Sequence, residues 1–420
     1  MKDLTFLPTD FLLPTNVAQE KWAVLASDQY INEESYWQSV ENIVGREPST
    51  LRLTLPESCL DGPDIETDIM AVNNTMTQYL RQNIFDQHDD AMILVERKLK
   101  NGQTRLGVMG MIDLEKYDYS VKGKALVRAS ETILTSRIPP RVAARKNAPL
   151  EVTHVVLLAD DEENFILENI PREKLKKLYD FSLMTEGGSL KGYLLEGENK
   201  ELISSATAKL GDKDYFQNKY QTTKETLQLA LGDGTHALAT AKECYERQKK
   251  LVPPEEWSNL PSRYAMVELV NLHQEAVVLK PFHRVVSPCD PREFLRDFRV
   301  FVEQFPENDI PSQDFQYYFG EHEALLTVEN PVAPIEMYTF ENFLASQRAK
   351  GKNYTIDYTL SIEEGKKASQ KKNTICIIFP ELNKKQFFPS LIHHGILPKK
   401  TFALGEPLDK KYYYESRKIR

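Results

Sequence analysis

The residues best suited by type and spacing to handle a phosphate run Gly232-Asp233-Gly234-Thr235-His236. The glycines supply backbone freedom, Asp233 a carboxylate, His236 an imidazole, and Thr235 a hydroxyl able to cap a helix. Leu227, Leu229 and Leu231 alternate ahead of them as in a half-buried strand, and Ala237, Ala241, Cys244 and Tyr245 follow in a helical pattern. A strand, a Gly-rich turn and a helix start place unsatisfied amides at the positive end of a dipole, where an anion is favoured. Gly232, Gly234 and Thr235 are therefore candidate phosphate ligands. Asp233 is a candidate Mg²⁺ ligand and, with His236, a candidate catalytic group. The competing reading is a plain Asp-Gly turn with His236 on the surface.

A second group lies between residues 122 and 146, where Arg128, Arg137 and Arg141 stand among further Lys and Arg, with Glu131 the single acid before Glu151. Guanidinium forks match phosphate oxygens two at a time, so the three arginines are phosphate candidates. A helix beginning at Ser130 would put Glu131 in its first turn, facing the anion or its metal; a solvated basic face is the alternative. Asp28, where KWAVLASDQY ends at a sheet rim, is a further candidate carboxylate, with an Asx turn or helix cap as its other reading. His283-Arg284, where a strand exits, could bind an anion or move a proton; a structural pair is the alternative.

The elements that must hold these groups are those of a globular chain. The 420 residues are 41% hydrophobic, enough for a large core, and the formal net charge of -9 supplies no overall positive field for nucleic acid or an anionic membrane. Cys59, Cys244, Cys289 and Cys376 form no CxxC pair, which argues against a zinc site or disulfide framework and fits a reducing cytoplasm. No signal peptide or bilayer-length apolar run is evident, so a cytoplasmic location is expected. P-loop, zincin and nucleophile-elbow motifs are absent from the sequence.

In order, the patterns predict a buried strand at Trp22 to Leu25, a helix carrying Tyr36, Trp37, Val40 and Ile43, and a short strand at Ser49 to Leu55. An amphipathic helix is expected over 65–88, then a hairpin about Asn101-Gly102 with Asp113 at its exit. Val155 to Leu158 is a strand ending in Asp160-Asp161, a charged helix follows Pro171, and Gly187-Gly188 turns between short strands. Helices are expected at Lys200 to Leu210 and Phe294 to Phe305, and the segment YAMVELVNLHQEAVVL reads as two strands about a polar turn. Later come strands at Ala324 to Val328 and Thr374 to Phe379, helices at Phe340 to Lys350 and Phe387 to His394, and a solvated loop at GKKASQKK. Together these describe an α+β (mixed α/β) chain, with residues 1–305 as the main domain and 306–420 as a smaller section packed on it.

KWAVLASDQY with Tyr36-Trp37, VRASET at 127–132, LYDFSLMTEGGSLKGY at 178–193, LGDGTHALATAK at 231–242, PFHR at 281–284 and LPKKTFALGE at 397–406 occur in this order. By these motifs the chain resembles, end to end, the domain-of-unknown-function family numbered 1015 (DUF1015), in its clostridial-type branch. Much of that family carries Ala-Asp-Gly-His-His-Arg at the central motif, which is similar to the phosphate-binding motif of the ParB/sulfiredoxin-like fold. That fold includes nucleotide hydrolases and kinases of free serine. Asp233, Gly234 and His236 match, whereas Thr235 and Ala237 replace a His and the Arg; Glu131 is kept without its preceding His.

The resemblance implies a ParB/sulfiredoxin-like core motif embedded in a larger mixed-sheet domain. With the residues above, it implies an enzyme that binds a phosphorylated small molecule and transfers a phosphoryl group to a hydroxylated metabolite such as serine. Mg²⁺ and a nucleotide, ATP or ADP, are the expected cofactors. In that scheme Asp233 holds the metal, Glu131 or Asp28 is the base, and Arg128, Arg137, Arg141, His283 and Arg284 neutralise charge. A phosphatase of a phosphorylated amino acid is one alternative, a non-catalytic metabolite sensor or DNA-bound regulator the other. Nucleic acid is disfavoured as a partner, no membrane is expected, and a homodimer is compatible with the reading. Lys399, Lys400 and Glu406 could also reach a ligand.

Overall fold

The computed structural model describes residues 4–25, 30, 33–56, 59–60, 62–167 and 170–420. It is a mixed α/β structure with two compact units, one of 1–129, 133–277 and 405–420, the other of 130–132 and 278–404. The boundary expected from sequence lies at residue 305. The strand His283–Ser287 pairs with Thr355–Thr359 and Ile375–Ile378, so its segment belongs to the second unit. Residues 405–420 belong to the first.

The first unit is built on a mixed sheet of eleven strands. Its middle holds β1 (Phe85–Lys98) and β2 (Thr104–Asp113), antiparallel across the Asn101-Gly102 turn, where Gly102 takes a φ of 90°. The helix α1 (Ile138–Arg145) precedes β3 (Val155–Ala159). Next come β4 (Leu229–Asp233), α2 (Thr235–Lys249) and β5 (Tyr264–Asn271). The order across the middle is β4, β3, β5, β2, β1, with β3 and β5 parallel and the other three pairings antiparallel.

Alternation along these strands sends side chains to two cores. One gathers Val108, Leu157, Leu229, Leu231 and Val267 with Leu238 and Tyr245 of α2. The other gathers Ile93, Val95, Met109 and Met266 with Tyr412, Tyr414 and Ile419 of the C-terminal segment. A third cluster packs α1 on α2 through Ile138, Val142, Ala239 and Cys244.

The second unit carries an antiparallel sheet in the order His322–Val328, Gln313–Phe319, Ile375–Ile378, His283–Ser287, Thr355–Thr359. Phe294 and Phe298 of the helix Pro291–Val302 meet Phe340 and Phe343 of the helix Glu336–Ala349 at ring distances of 4.7 to 6.3 Å.

Several expectations are corrected. Trp22 ends a four-residue helix, Gln19–Trp22, and Val24 makes a lone bridge to Tyr413. Thr50–Arg52 is a 3₁₀ turn, with Ser49 Oγ accepting from the Leu51 amide. The helix expected over 65–88 is Ile65–Arg81, because Phe85 already pairs with Pro14 as a strand. After Pro171 there is a 3₁₀ turn, Arg172–Lys174, followed by the strand Lys177–Ser182. Much of GKKASQKK lies in the helix Ile362–Ser369, capped by Ser361 Oγ on the Glu364 amide. Ser130 starts no helix. Ser130 lies in a bend, and Glu131 is bridged in parallel to Leu397.

Candidate phosphate site at the β4–α2 turn

β4 runs antiparallel to β3 with Ala230 opposite Leu158 and Leu231 opposite Leu157; the register then slips so that Asp233 faces Val156. Gly232 is the extra residue of a bulge, and a one-residue slip turns the next side chain to the other face. Leu229 and Leu231 therefore point into the core beneath α2, whereas Asp233 points to the side where Lys410 of the C-terminal segment meets it. A Cβ on Gly232 would come within 2.8 Å of Leu158 Cγ.

Gly234, with a φ of 87°, is the N-cap of α2, and among the described residues no side chain caps the helix. A Cβ there would stand 2.5 Å from Val155 Cγ1, so packing and backbone both require glycine. Thr235 is the first helical residue, not the cap expected from sequence. Asp233 Oδ1 accepts from the Gly234 amide at 2.9 Å and lies 3.2 Å from Lys410 Nζ. Its Oδ2 makes no hydrogen bond among the described residues, and the side chain keeps 30% of its exposure.

Behind the turn lies a buried polar network that the sequence pattern does not announce. Asp233, Val156, Glu268 and Met109 are successive cross-strand neighbours on β4, β3, β5 and β2. Glu268, 1% exposed, is paired by Lys411 Nζ at 3.1 Å. Burial pushes its carboxyl up, but Lys411, Arg105 and Arg97 outweigh that and leave it below the usual range. His154 Nε2 stands 4.0 Å from Glu268 Oε2, and neither ring nitrogen makes a well-formed hydrogen bond among the described residues. Burial, then Lys411, holds its pKa well below the usual value, so the ring is neutral.

Arg97 Nη2 donates to Leu408 O at 2.8 Å and Arg105 Nη1 to Asp409 O at 3.1 Å, while Tyr179 OH donates to Glu415. The C-terminal segment is thus fastened over the sheet, with Lys410 above Asp233 and Lys411 above Glu268. One signal was available in sequence: a glutamate inside the apolar run of β5 needs a buried cation.

The remaining candidates fall elsewhere. Arg128 in the first unit gives Nε to Ala125 O at 2.8 Å and Nη2 to the carbonyls of Glu225 and Thr226 at 2.8 and 2.9 Å. Arg137 is exposed, and its carbonyl accepts from Arg141 Nη1 at 2.6 Å. Asp28 lies outside the described residues.

In the second unit Glu131 accepts from the amides of Lys400, Thr401 and Phe402 at 3.2, 2.9 and 2.9 Å. Burial outweighs the Phe402 amide and Lys400, raising its pKa to about 7. His283, 4% exposed, accepts at Nδ1 from the Phe379 amide at 3.2 Å, and burial with the Arg284 charge lowers its pKa to about 4. Arg284 is fully buried, donating to Phe282 O at 2.6 Å and stacked 4.7 Å over Tyr358. Glu131, His283 and Arg284 are therefore tied down within the second unit, while Gly232 to His236 stand together in the first.

Among the described residues, one trio has metal-ligand spacing: Asp160, Glu162 and His273. Asp160 and His273 follow the C-terminal ends of the parallel strands β3 and β5, whereas Asp233 pairs near the start of β3. Lys219 Nζ lies 2.9 Å from Asp160 Oδ2, and Tyr220 OH and His273 also bond that carboxylate, so it is already neutralised.

The model of the family described as "Protein of unknown function (DUF1015)" matches residues 12–359. The chain belongs to this family. Lys410 and Lys411 lie beyond the matched stretch. No curated protein matches the chain.

Among solved structures, this family member is similar to a free serine kinase variant in complex with AMP, at 11% identity and a TM-score of 0.37, over 74% of this chain and 91% of that one. It is similar to a conserved hypothetical protein from Pyrococcus furiosus, at 11% identity and a TM-score of 0.35, over 74% and 94%. A third likeness is to SbnI with C-terminal truncation from Staphylococcus aureus, at 8% identity and a TM-score of 0.35, over 71% and 82%. No helix among the described residues is long and apolar enough to cross a membrane.

Proposed function

We propose that the chain is an enzyme of phosphoryl transfer that binds a nucleotide, ATP or ADP, by its phosphates at the start of α2. The observation that carries this reading is the bulge at Gly232, which turns Asp233 to the mouth of an uncapped fifteen-residue helix and against a lysine. The first amides of α2 have no acceptor within the helix and lie at its positive end, where phosphate oxygens are favoured. The Lys410 ammonium supplies the full charge. Serine, or a similar hydroxylated metabolite, is the acceptor implied by the resemblance of the central motif.

Asp233 is the carboxylate of this site. Its Oδ1 is committed to Gly234 and Lys410, and its Oδ2 is the oxygen available to take the acceptor's hydroxyl proton. As the acceptor oxygen bonds to the terminal phosphorus, the bond to the nucleotide's bridging oxygen breaks and the nucleotide leaves. Glu131 is a poorer base, its carboxylate being filled by three amides.

The charge that meets Asp233 is the Lys410 ammonium, 3.2 Å from its Oδ1. Asp233 belongs to no trio of metal-ligand residues among the described ones.

The test is product analysis with serine and either ATP or ADP. Asp233→Asn is expected to keep nucleotide binding and lose about 10²- to 10⁴-fold in turnover. Turnover undiminished in Asp233→Asn removes Asp233 as the base, and inorganic phosphate released without phosphoserine replaces the transferase by a phosphatase.

A further inference from the structure

We infer that Lys410 is the resident countercation of the β4–α2 phosphate site, so that the chain binds its phosphorylated ligand without a divalent metal. This rests on the phosphate-binding reading and names the group that balances the charge.

Three observations support it. First, the Lys410 Nζ lies 3.2 Å from Asp233 Oδ1 and keeps only 11% of its side-chain exposure, so the ammonium is held at the turn instead of trailing in solvent. Second, the segment bearing it cannot drift. Leu408 O and Asp409 O are held by Arg97 and Arg105, Lys411 is buried on Glu268, and Tyr413 N donates to Val24 O at 2.9 Å. Third, the same sheet face holds His154, 5% exposed, whose ring nitrogens make no well-formed hydrogen bond among the described residues and whose Nε2 lies 4.0 Å from Glu268 Oε2. It lies two positions before Val156, the cross-strand partner of both Asp233 and Glu268. The face that Asp233 and Lys410 occupy thus also carries the buried polar groups Glu268, Lys411 and His154.

A phosphate placed against the α2 amides beside Asp233 must offset one carboxylate as well as its own charge. Lys410 contributes one positive charge there, the helix dipole about half of another. This suits a ligand recognised by a terminal phosphate, with the remainder of its charge facing solvent.

The experiment is calorimetric titration of the full chain with ADP, once in EDTA and once in Mg²⁺, for the wild type, Lys410→Gln and Lys410→Arg. The expected result is binding in both buffers, weakened about tenfold or more by Lys410→Gln and largely kept by Lys410→Arg. The unliganded melting temperatures of the three proteins serve as the folding control. Binding seen only in Mg²⁺, or equal binding by wild type and Lys410→Gln, overturns the role of Lys410 and leaves the phosphate site standing. No binding of ADP in either buffer overturns the phosphate reading itself, and this inference with it. If Lys410→Gln fails to fold, the comparison of EDTA with Mg²⁺ in the wild type still decides the matter.

Discussion

Lys410 and Asp233, 177 positions apart in sequence, are 3.2 Å apart at the mouth of α2. Lys411, its neighbour, reaches to the opposite side of Val156 and pairs with Glu268. An extended backbone sends successive side chains in opposite directions, so two adjacent lysines serve carboxylates on strands two places apart.

Lys411→Met should be severely destabilising. It leaves Glu268 buried without its cation, a change that costs about 3 to 5 kcal/mol when one partner of a buried pair is removed. Urea unfolding of Lys411→Met alone and together with Glu268→Gln checks this. The double variant should recover a large part of the loss; equal stability of both would show that the pair is not coupled.

Gly234→Ala should lose stability twice over. The new Cβ would sit at a φ of 87° and 2.5 Å from Val155 Cγ1. Left-handed strain of roughly 1 to 2 kcal/mol adds to an overpacking cost of about 1 to 3 kcal/mol. A midpoint shift of thermal unfolding measures the sum, and a neutral result would mean the turn relaxes easily.

Glu131 closes the Leu397 to Phe402 loop on the 130–132 segment. Glu131→Ala strands three backbone amides and should be far more damaging than Glu131→Gln, whose carbonyl can still accept from Thr401 and Phe402. The folded carboxyl has its pKa raised to about 7, above the ordinary 4.5. The folded state therefore holds more protons than the unfolded one between those values, and this group's contribution to stability falls as pH rises through that window. Glu131→Gln should flatten that part of the stability profile measured by urea unfolding.

His283 works in the other direction. Its pKa is lowered from 6.5 to about 4, so the unfolded chain takes up the proton first and stability falls as pH drops from about 6.5 toward 4, by on the order of 3 kcal/mol in full. Nuclear magnetic resonance titration of the His283 ring is expected to show a neutral imidazole down to about pH 5. A midpoint near 6.5 would contradict the burial argument.

What could be read in sequence was local. The strand, glycine turn and helix at 229–249 carry their signals within a few residues, as do the Asn101-Gly102 hairpin and the helices Pro291–Val302 and Lys384–His394. The facing of Asp233 depended on a bulge, which alternation of Leu227, Leu229 and Leu231 does not announce. Ser130 has the look of a helix cap, yet Leu397 N donates to Ser130 O at 2.7 Å, and that long-range pairing wins over local propensity.

The helix Ile362–Ser369 shows the reverse lapse. Its cap Ser361, its early acids Glu363 and Glu364 and its late Lys366 and Lys367 were all legible, but its charge density suggested a loop. Lys410 and Lys411 were beyond reach, because nothing in a basic, aromatic tail says which carboxylates it will cover.

The most direct test of the phosphate site is a crystal structure of the full chain with ADP. The expected result is a phosphate group within hydrogen-bond distance of the first α2 amides and the Lys410 ammonium, with Asp233 Oδ2 facing the open side. ADP bound at any other place on the chain, with the β4–α2 turn left unoccupied, would contradict it.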